Sequence, residues 1–126
     1  VAQRLVRRIC PSCIFSEEIK PEYVQVVENQ FKELGDVQNV HVPKVLYRGR
    51  GCPACGGSGY KGRLGIFEVL EVTEKVKAIV NDRNFNLDIL RAEARKAGMR
   101  TMFEDGLEKT ELALTTIDEV MRVIRE

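Results

Sequence analysis

Four cysteines carry the clearest chemistry in this chain: Cys10, Cys13, Cys52 and Cys55. They form two CxxC pairs, CPSC and CPAC, with 38 residues between them. A CxxC pair wraps a tight turn whose two sulfurs face one point, and two such turns brought together make a tetrahedron of thiolates. Zn²⁺ favours that ligand set, at Zn–S distances of about 2.3 Å. The predicted cofactor is therefore one structural Zn²⁺. With four thiolates around it, the site has no open position for water or substrate, so the metal would hold the fold and not catalyse. Three other uses of the cysteines fit less well. Disulfides within CxxC pairs close small strained loops. A thioredoxin-type redox pair does not explain why there are two. Iron–sulfur spacings group three cysteines closely, a pattern absent here.

Other chemistry is sparse. There is no GxxxxGK[ST] loop and no HExxH, and the single histidine, His41, has no Ser/Asp set to complete. The glycines of GCPACGGSGYKGR are better explained by backbone turning tightly around metal-bound sulfurs than by a phosphate loop. Net charge is +1, but Lys44, Arg48, Arg50, Lys61 and Arg63 occupy a stretch without any Asp or Glu. These five are a candidate anion or partner surface. The plainer reading is a solvated loop that offsets the formal charge of −2 on a Zn(Cys)₄ centre.

The elements that must position these residues follow from periodicity. Leu5, Val6 and Ile9 at helical spacing predict the tail of a helix at the start of the chain, and hence a piece cut from something longer. Pro21 at a first turn and Gly35 at a left-handed cap bound a helix whose apolar face is Tyr23, Val24, Val27, Phe31 and Leu34. Val37 to Tyr47 is expected to hold one or two short strands interrupted near Pro43. Residues 49–62, with six glycines, should be neither helix nor regular strand, and Arg63 to Val72 should be a strand with a kink. From Thr73 onward the pattern is helical: Thr73 and Asn86 are caps, and Thr101–Glu104 and Thr116–Glu119 are capping-box patterns. The fold class is α+β, a small zinc-stapled lobe with short strands plus a C-terminal helical bundle. Residues 1–72 form the tetracysteine lobe, with a helical insertion at about 14–48, and residues 73–126 the helical subdomain. At 126 residues, 44% apolar and 31% charged, the composition is that of a globular protein.

The motifs QRLVRRICPSC, YRGRGCPACGGSGYKGRLGIFEVLEV and AGMRTMFEDGLEKTELALTTIDEVMRV, in this order, closely resemble the C-terminal part of the type II secretion and type IV pilus assembly ATPases. The resemblance covers nearly the whole chain. It implies a parent that is a homo-hexameric, cytoplasmic motor ATPase, peripheral at the inner face of the cytoplasmic membrane, with ATP and Mg²⁺ bound in an upstream domain. It implies that Cys10, Cys13, Cys52 and Cys55 are the zinc ligands. The implied partners are the ATPase core in cis and the polytopic inner-membrane platform protein; no nucleic acid is expected. Arg4 and Arg7 match the arginines of the family's QRLVR motif. The family tail usually has Gly in the turn before the Thr-Thr pair, where this chain has Ala113-Leu114. The alternative without the family is a free-standing nucleic-acid-binding zinc ribbon. Another is a chaperone-like zinc module, since Cys52–Gly59 fits one CxxCxGxG repeat.

Overall fold

A computed structural model of the chain describes residues 2–33, 41–96 and 99–124. Its elements run β1 (Ala2–Ile9), β2 (Ile14–Glu18), α1 (Pro21–Glu33), β3 (Val45–Gly49), a 3₁₀ turn at Pro53–Cys55, β4 (Tyr60–Glu68), α2 (Glu74–Val80), α3 (Leu87–Lys96), α4 (Met102–Glu111) and α5 (Ile117–Ile124). The expected α+β mixture of short strands and following helices is what forms. Gly35, Val37 and Val40, with Leu34, lie outside the described residues.

Two antiparallel two-stranded sheets make the β part: β1 with β4, and β2 with β3. The start of the chain is therefore a strand and not the tail of a helix. Its apolar spacing has a local cause. Val6 and Ile9 are both buried, and between Arg7 and Ile9 the register shifts by one residue, because Lys61 and Gly62 of β4 together oppose Arg8. The i, i+3 spacing of Val6 and Ile9 thus falls where β4 carries a bulge, with Gly62 at φ of 85°. β4 starts at Tyr60, inside the stretch expected to be irregular, and ends at Glu68; Val69 and Val72 beyond it are exposed. β3 likewise takes in Gly49.

One cluster of buried side chains draws on most elements: Val6, Val27, Phe31, Leu46, Ile66, Phe103, Leu107, Ile117, Val120, Met121 and Val123. Residues on both sides of position 72 contribute. The insertion helix is part of it, since Phe31 of α1 meets Phe103 of α4 edge-to-face at 6.0 Å. α4 and α5 cross at Gly106, where a Cβ would lie 2.6 Å from Val120 Cγ1. Thr101 and Glu104 form the full reciprocal capping box expected for α4, and Thr73 caps α2 by accepting from Val76 N–H at 3.2 Å.

The turn between α4 and α5 keeps the shape a glycine would give it. Ala113 N–H donates to Thr110 C=O at 3.2 Å and Leu114 N–H to Lys109 C=O at 3.0 Å, the two bonds of a Schellman cap. Ala113 consequently sits in the left-handed region, with φ of 64°. An L-residue there costs roughly 1–2 kcal/mol relative to glycine, and the freer unfolded glycine chain offsets part of that. Ala113→Gly is therefore expected to stabilise the protein by about 0.5–1 kcal/mol in urea denaturation. An unchanged or lower midpoint would contradict this account of the turn.

Candidate metal centre

Each CxxC pair sits on the same backbone turn. Cys10 follows β1 directly and Cys13 precedes β2; Cys13 N–H donates to Cys10 C=O at 3.3 Å. Cys52 opens the 3₁₀ turn, where Cys55 N–H donates back to Cys52 C=O at 3.2 Å. The two turns meet because the β1–β4 ladder runs up to Ile9–Tyr60 and is continued by Cys10 N–H donating to Gly59 C=O at 2.9 Å. Arg50 N–H donates to Cys13 C=O at 3.1 Å and closes the other side. Gly49 and Gly59 make the approach possible: a Cβ on Gly49 would lie 2.1 Å from Gly59 oxygen, and one on Gly59 would lie 2.6 Å from Gly49 oxygen. No side chain fits between these backbones.

The four sulfurs all lie within 4.8 Å of one another. Cys10 and Cys52 Sγ are 3.7 Å apart, Cys52 and Cys55 3.7 Å, and Cys13 and Cys55 3.9 Å. A tetrahedron with Zn–S near 2.3 Å has edges of about 3.8 Å. A disulfide would need about 2.05 Å, and all four cysteines are free. The donor set therefore fits a tetrathiolate metal ion and does not fit cystine.

Backbone amides are aimed at the sulfurs. Gly51 N–H donates to Cys13 Sγ at 3.4 Å, and Cys52 and Gly59 N–H both donate to Cys55 Sγ at 3.2 Å. Burial pushes the Cys55 thiol up, but the Cys52 and Gly59 amides and the neighbouring thiols outweigh it and bring the thiol down to about 6. Cys13 goes the other way, to about 11: burial and the sulfurs around it raise it more than the single Gly51 amide lowers it. Four sulfurs at these distances cannot all be anionic without a cation among them. Cys10 is fully buried, whereas the other three are half-buried, so the cluster sits at the surface with one ligand rooted in the core.

The five basic residues differ in what they touch. Arg48 on β3 is bound to Glu17 at 3.3 Å, to Asp118 at 3.4 Å and to Tyr23 Oη at 2.8 Å. Arg50 lies over the Phe15 ring at 4.7 Å. Lys44 is exposed just before β3, and Lys61 and Arg63 are exposed on β4, in the other sheet. His41 is exposed and pairs with Glu111.

Sequence reasoning missed Glu119. It was expected to complete a capping box with Thr116. Thr116 Oγ1 does accept from Glu119 N–H at 3.2 Å, but the carboxylate turns to β1. There it accepts from Arg7 N–H at 2.8 Å, from Arg7 Nε and Nη2 at 3.0 Å each, and from Arg122 Nε and Nη2 at 3.1 Å each. Thr115 Oγ1 donates to Arg7 C=O at 2.8 Å, and Tyr60 Oη meets Thr116 Oγ1 at 2.9 Å. These bonds pin the start of α5 to the strand that ends in Cys10. The only sequence signal was the TTxxE motif itself, which does not name a partner more than a hundred residues away.

Fold and centre together define an α+β module built around a tetracysteine cluster positioned to bind a metal ion. A sequence model of the family described as "Type II/IV secretion system protein" matches residues 1–122, and the chain belongs to that family. Among curated relatives, the type IV pilus assembly ATPase PilB of Thermus thermophilus is 38% identical over 96% of this chain and 13% of its own length. The type II secretion system ATPase E of Vibrio cholerae is 33% identical over the whole chain and 23% of its own length. The protein transport protein HofB homolog of Escherichia coli is 34% identical over 98% of the chain and 24% of its own length. The chain thus spans less than a quarter of each of these relatives.

Glu119 generates a pH prediction. Its side chain is 2% exposed. Burial alone would raise its carboxyl, yet the bonds from Arg7 and Arg122 hold it at about 2 against an ordinary 4.5. The unfolded chain therefore binds the extra proton as pH falls through 4.5. The stabilisation is complete above that value and is lost on descending toward pH 2, to the extent of roughly 3 kcal/mol. Urea denaturation between pH 2.5 and 7 should show this slope, and Glu119→Gln should be less stable at pH 7 with a flatter profile. A wild-type-like slope in that variant would place the acid sensitivity elsewhere.

Proposed function

We propose that this chain is the structural-zinc C-terminal region of a hexameric motor ATPase that powers type II secretion or type IV pilus assembly. The observation that carries this reading is the near-tetrahedral set of four sulfurs on two CxxC turns within a chain of the type II/IV secretion system family. Cys10, Cys13, Cys52 and Cys55 hold one Zn²⁺, which closes the turns after β1 and around the 3₁₀ helix. Residues 1–72, with the helical insertion at about 14–48, bear the metal. Residues 73–126 supply the helices that pack against the motor core. ATP and Mg²⁺ bind in the part of the parent upstream of this region.

The parent works at the cytoplasmic face of the inner membrane, against the membrane platform protein. No helix among the described residues is long and apolar enough to cross a membrane. Val69, Val72, Val80, Phe85, Leu87 and Ile89 are exposed on and around α2 and α3 and give apolar area for contacts with the rest of the machine. The nucleic-acid reading is less well supported. It needs Lys44, Arg48, Arg50, Lys61 and Arg63 to act together, and two of these are engaged with Glu17, Asp118, Tyr23 and Phe15.

The test is elemental analysis of the purified chain, with one Zn²⁺ per chain as the expected result. Binding of a structural zinc contributes on the order of 10 kcal/mol, comparable with the whole stability of a small domain. Chelation, or Cys52→Ser, should therefore open the backbone bonds around residues 10–18 and 45–59 to hydrogen exchange. A zinc-free folded protein with two disulfides would refute the metal assignment. Steep salt-dependent binding to DNA would transfer support to the nucleic-acid reading.

A further inference from the structure

Beside the β1–β4 sheet lies an open hollow of about 570 Å³ bordered by Leu5, Val6, Arg7, Arg63 and Arg122. Three guanidinium groups from three elements thus line one recess, and none of its lining residues is acidic. The carboxylate that Arg7 and Arg122 share, Glu119, is nearly inaccessible.

Two further features separate this recess from ordinary surface. Arg7 and Arg63 are direct cross-strand partners in the ladder. Like charges directly opposite each other weaken an antiparallel pair, a conflict that Glu119 moderates at Arg7 and that Arg63→Glu would remove. Such conflicts concentrate where a fold serves something other than stability. Second, two of the three cations are held in place before any ligand arrives. Arg7 is gripped by Glu119 and stacked 4.2 Å over the Tyr60 ring, and Arg122 is held by two bonds to Glu119. Their side chains still reach solvent, at 50% and 45% exposure. Ordering them on binding therefore costs little. Leu5, half-exposed, supplies an apolar wall that lowers the local dielectric and strengthens attraction to an anion.

We propose that this hollow binds a phosphate-bearing anion between Arg7, Arg63 and Arg122. Guanidinium forks match phosphate oxygens two at a time, and an anion seated there would relieve the Arg7–Arg63 repulsion. Its source is either a free phosphate compound or a lipid headgroup. None of its residues is a ligand of the metal centre.

The experiment is titration of the zinc-loaded full chain with inorganic pyrophosphate, followed by calorimetry and by arginine side-chain NMR, with phosphatidylglycerol vesicles titrated in parallel. Saturable binding that weakens as salt rises is expected, with the Arg7, Arg63 and Arg122 signals moving together. Saturation by pyrophosphate assigns the site to a soluble phosphate compound; binding to vesicles alone assigns it to a headgroup. Binding to neither overturns the proposal. Arg63→Glu is the decisive variant. It should weaken binding at least tenfold while its melting temperature stays level or rises, because it converts the Arg7–Arg63 repulsion into an ion pair. Lys61→Glu, an identical charge change on the same strand, should leave binding within about twofold. Undiminished binding by Arg63→Glu, or equal losses in both variants, would show that no discrete site exists there.

Discussion

The antiparallel pairing of β1 with β4 is the constraint that the other parts of this molecule obey. It joins segments separated by an entire strand–helix–strand insertion, so its loop-closure entropy has to be met by contacts elsewhere. One face of the ladder supplies Val6 and Ile66, both fully buried, to the core under α4 and α5. Its end delivers Cys10 to Gly59 and thereby brings two distant CxxC turns to one point. A metal ion held there would fasten the ladder where a two-stranded ribbon is weakest, at its fraying end.

Two chemical devices meet on the same strand. Toward its end, the sulfurs and glycines enforce a close backbone approach that no side chain could share. One turn of chain earlier, Arg7 fixes the strand to α5 through a carboxylate withdrawn from water. A buried charge tolerates few arrangements, because losing one partner leaves the other unsatisfied. It therefore specifies register as well as adding stability. Sliding β1 by one residue would carry Arg7 away from Glu119 and turn Val6 toward solvent at the same time.

What could be read in the sequence was what is local. Caps at Thr73 and Thr101, the helix opened by Pro21, and the two cysteine turns are written in residues three or four apart, and they form as expected. What depends on distant partners was not legible. β1 resembled a helix tail because its buried residues Val6 and Ile9 stand three apart, opposite the bulge in β4. β2 has no buried apolar row of its own, alternating only between exposed and half-buried positions, so its identity as a strand comes from pairing with β3. Lys44, Arg48, Arg50, Lys61 and Arg63 are near neighbours in the chain. Folding sends Arg48 to Glu17 and Asp118, and places Arg63 instead beside Arg7 and Arg122, residues that no linear window would group.

The Arg7–Glu119 contact spans 112 residues, and that distance sets the order in which the protein can be made. A ribosome adds about 5–20 residues per second, so β1 emerges roughly 6–20 seconds ahead of the helix that must cover Val6 and neutralise Arg7. Non-local contacts of this kind also slow the folding step itself. Cys10 and Cys13 wait 38 residues for the second pair, and Val6 lacks the cover of α5 throughout that interval. The local helices α1, α2 and α3 can form as they appear, whereas the core closes only when α5 has been synthesised. Among the elements described, then, β1 is the segment that waits longest for its partners and most needs shielding from pairing with another chain.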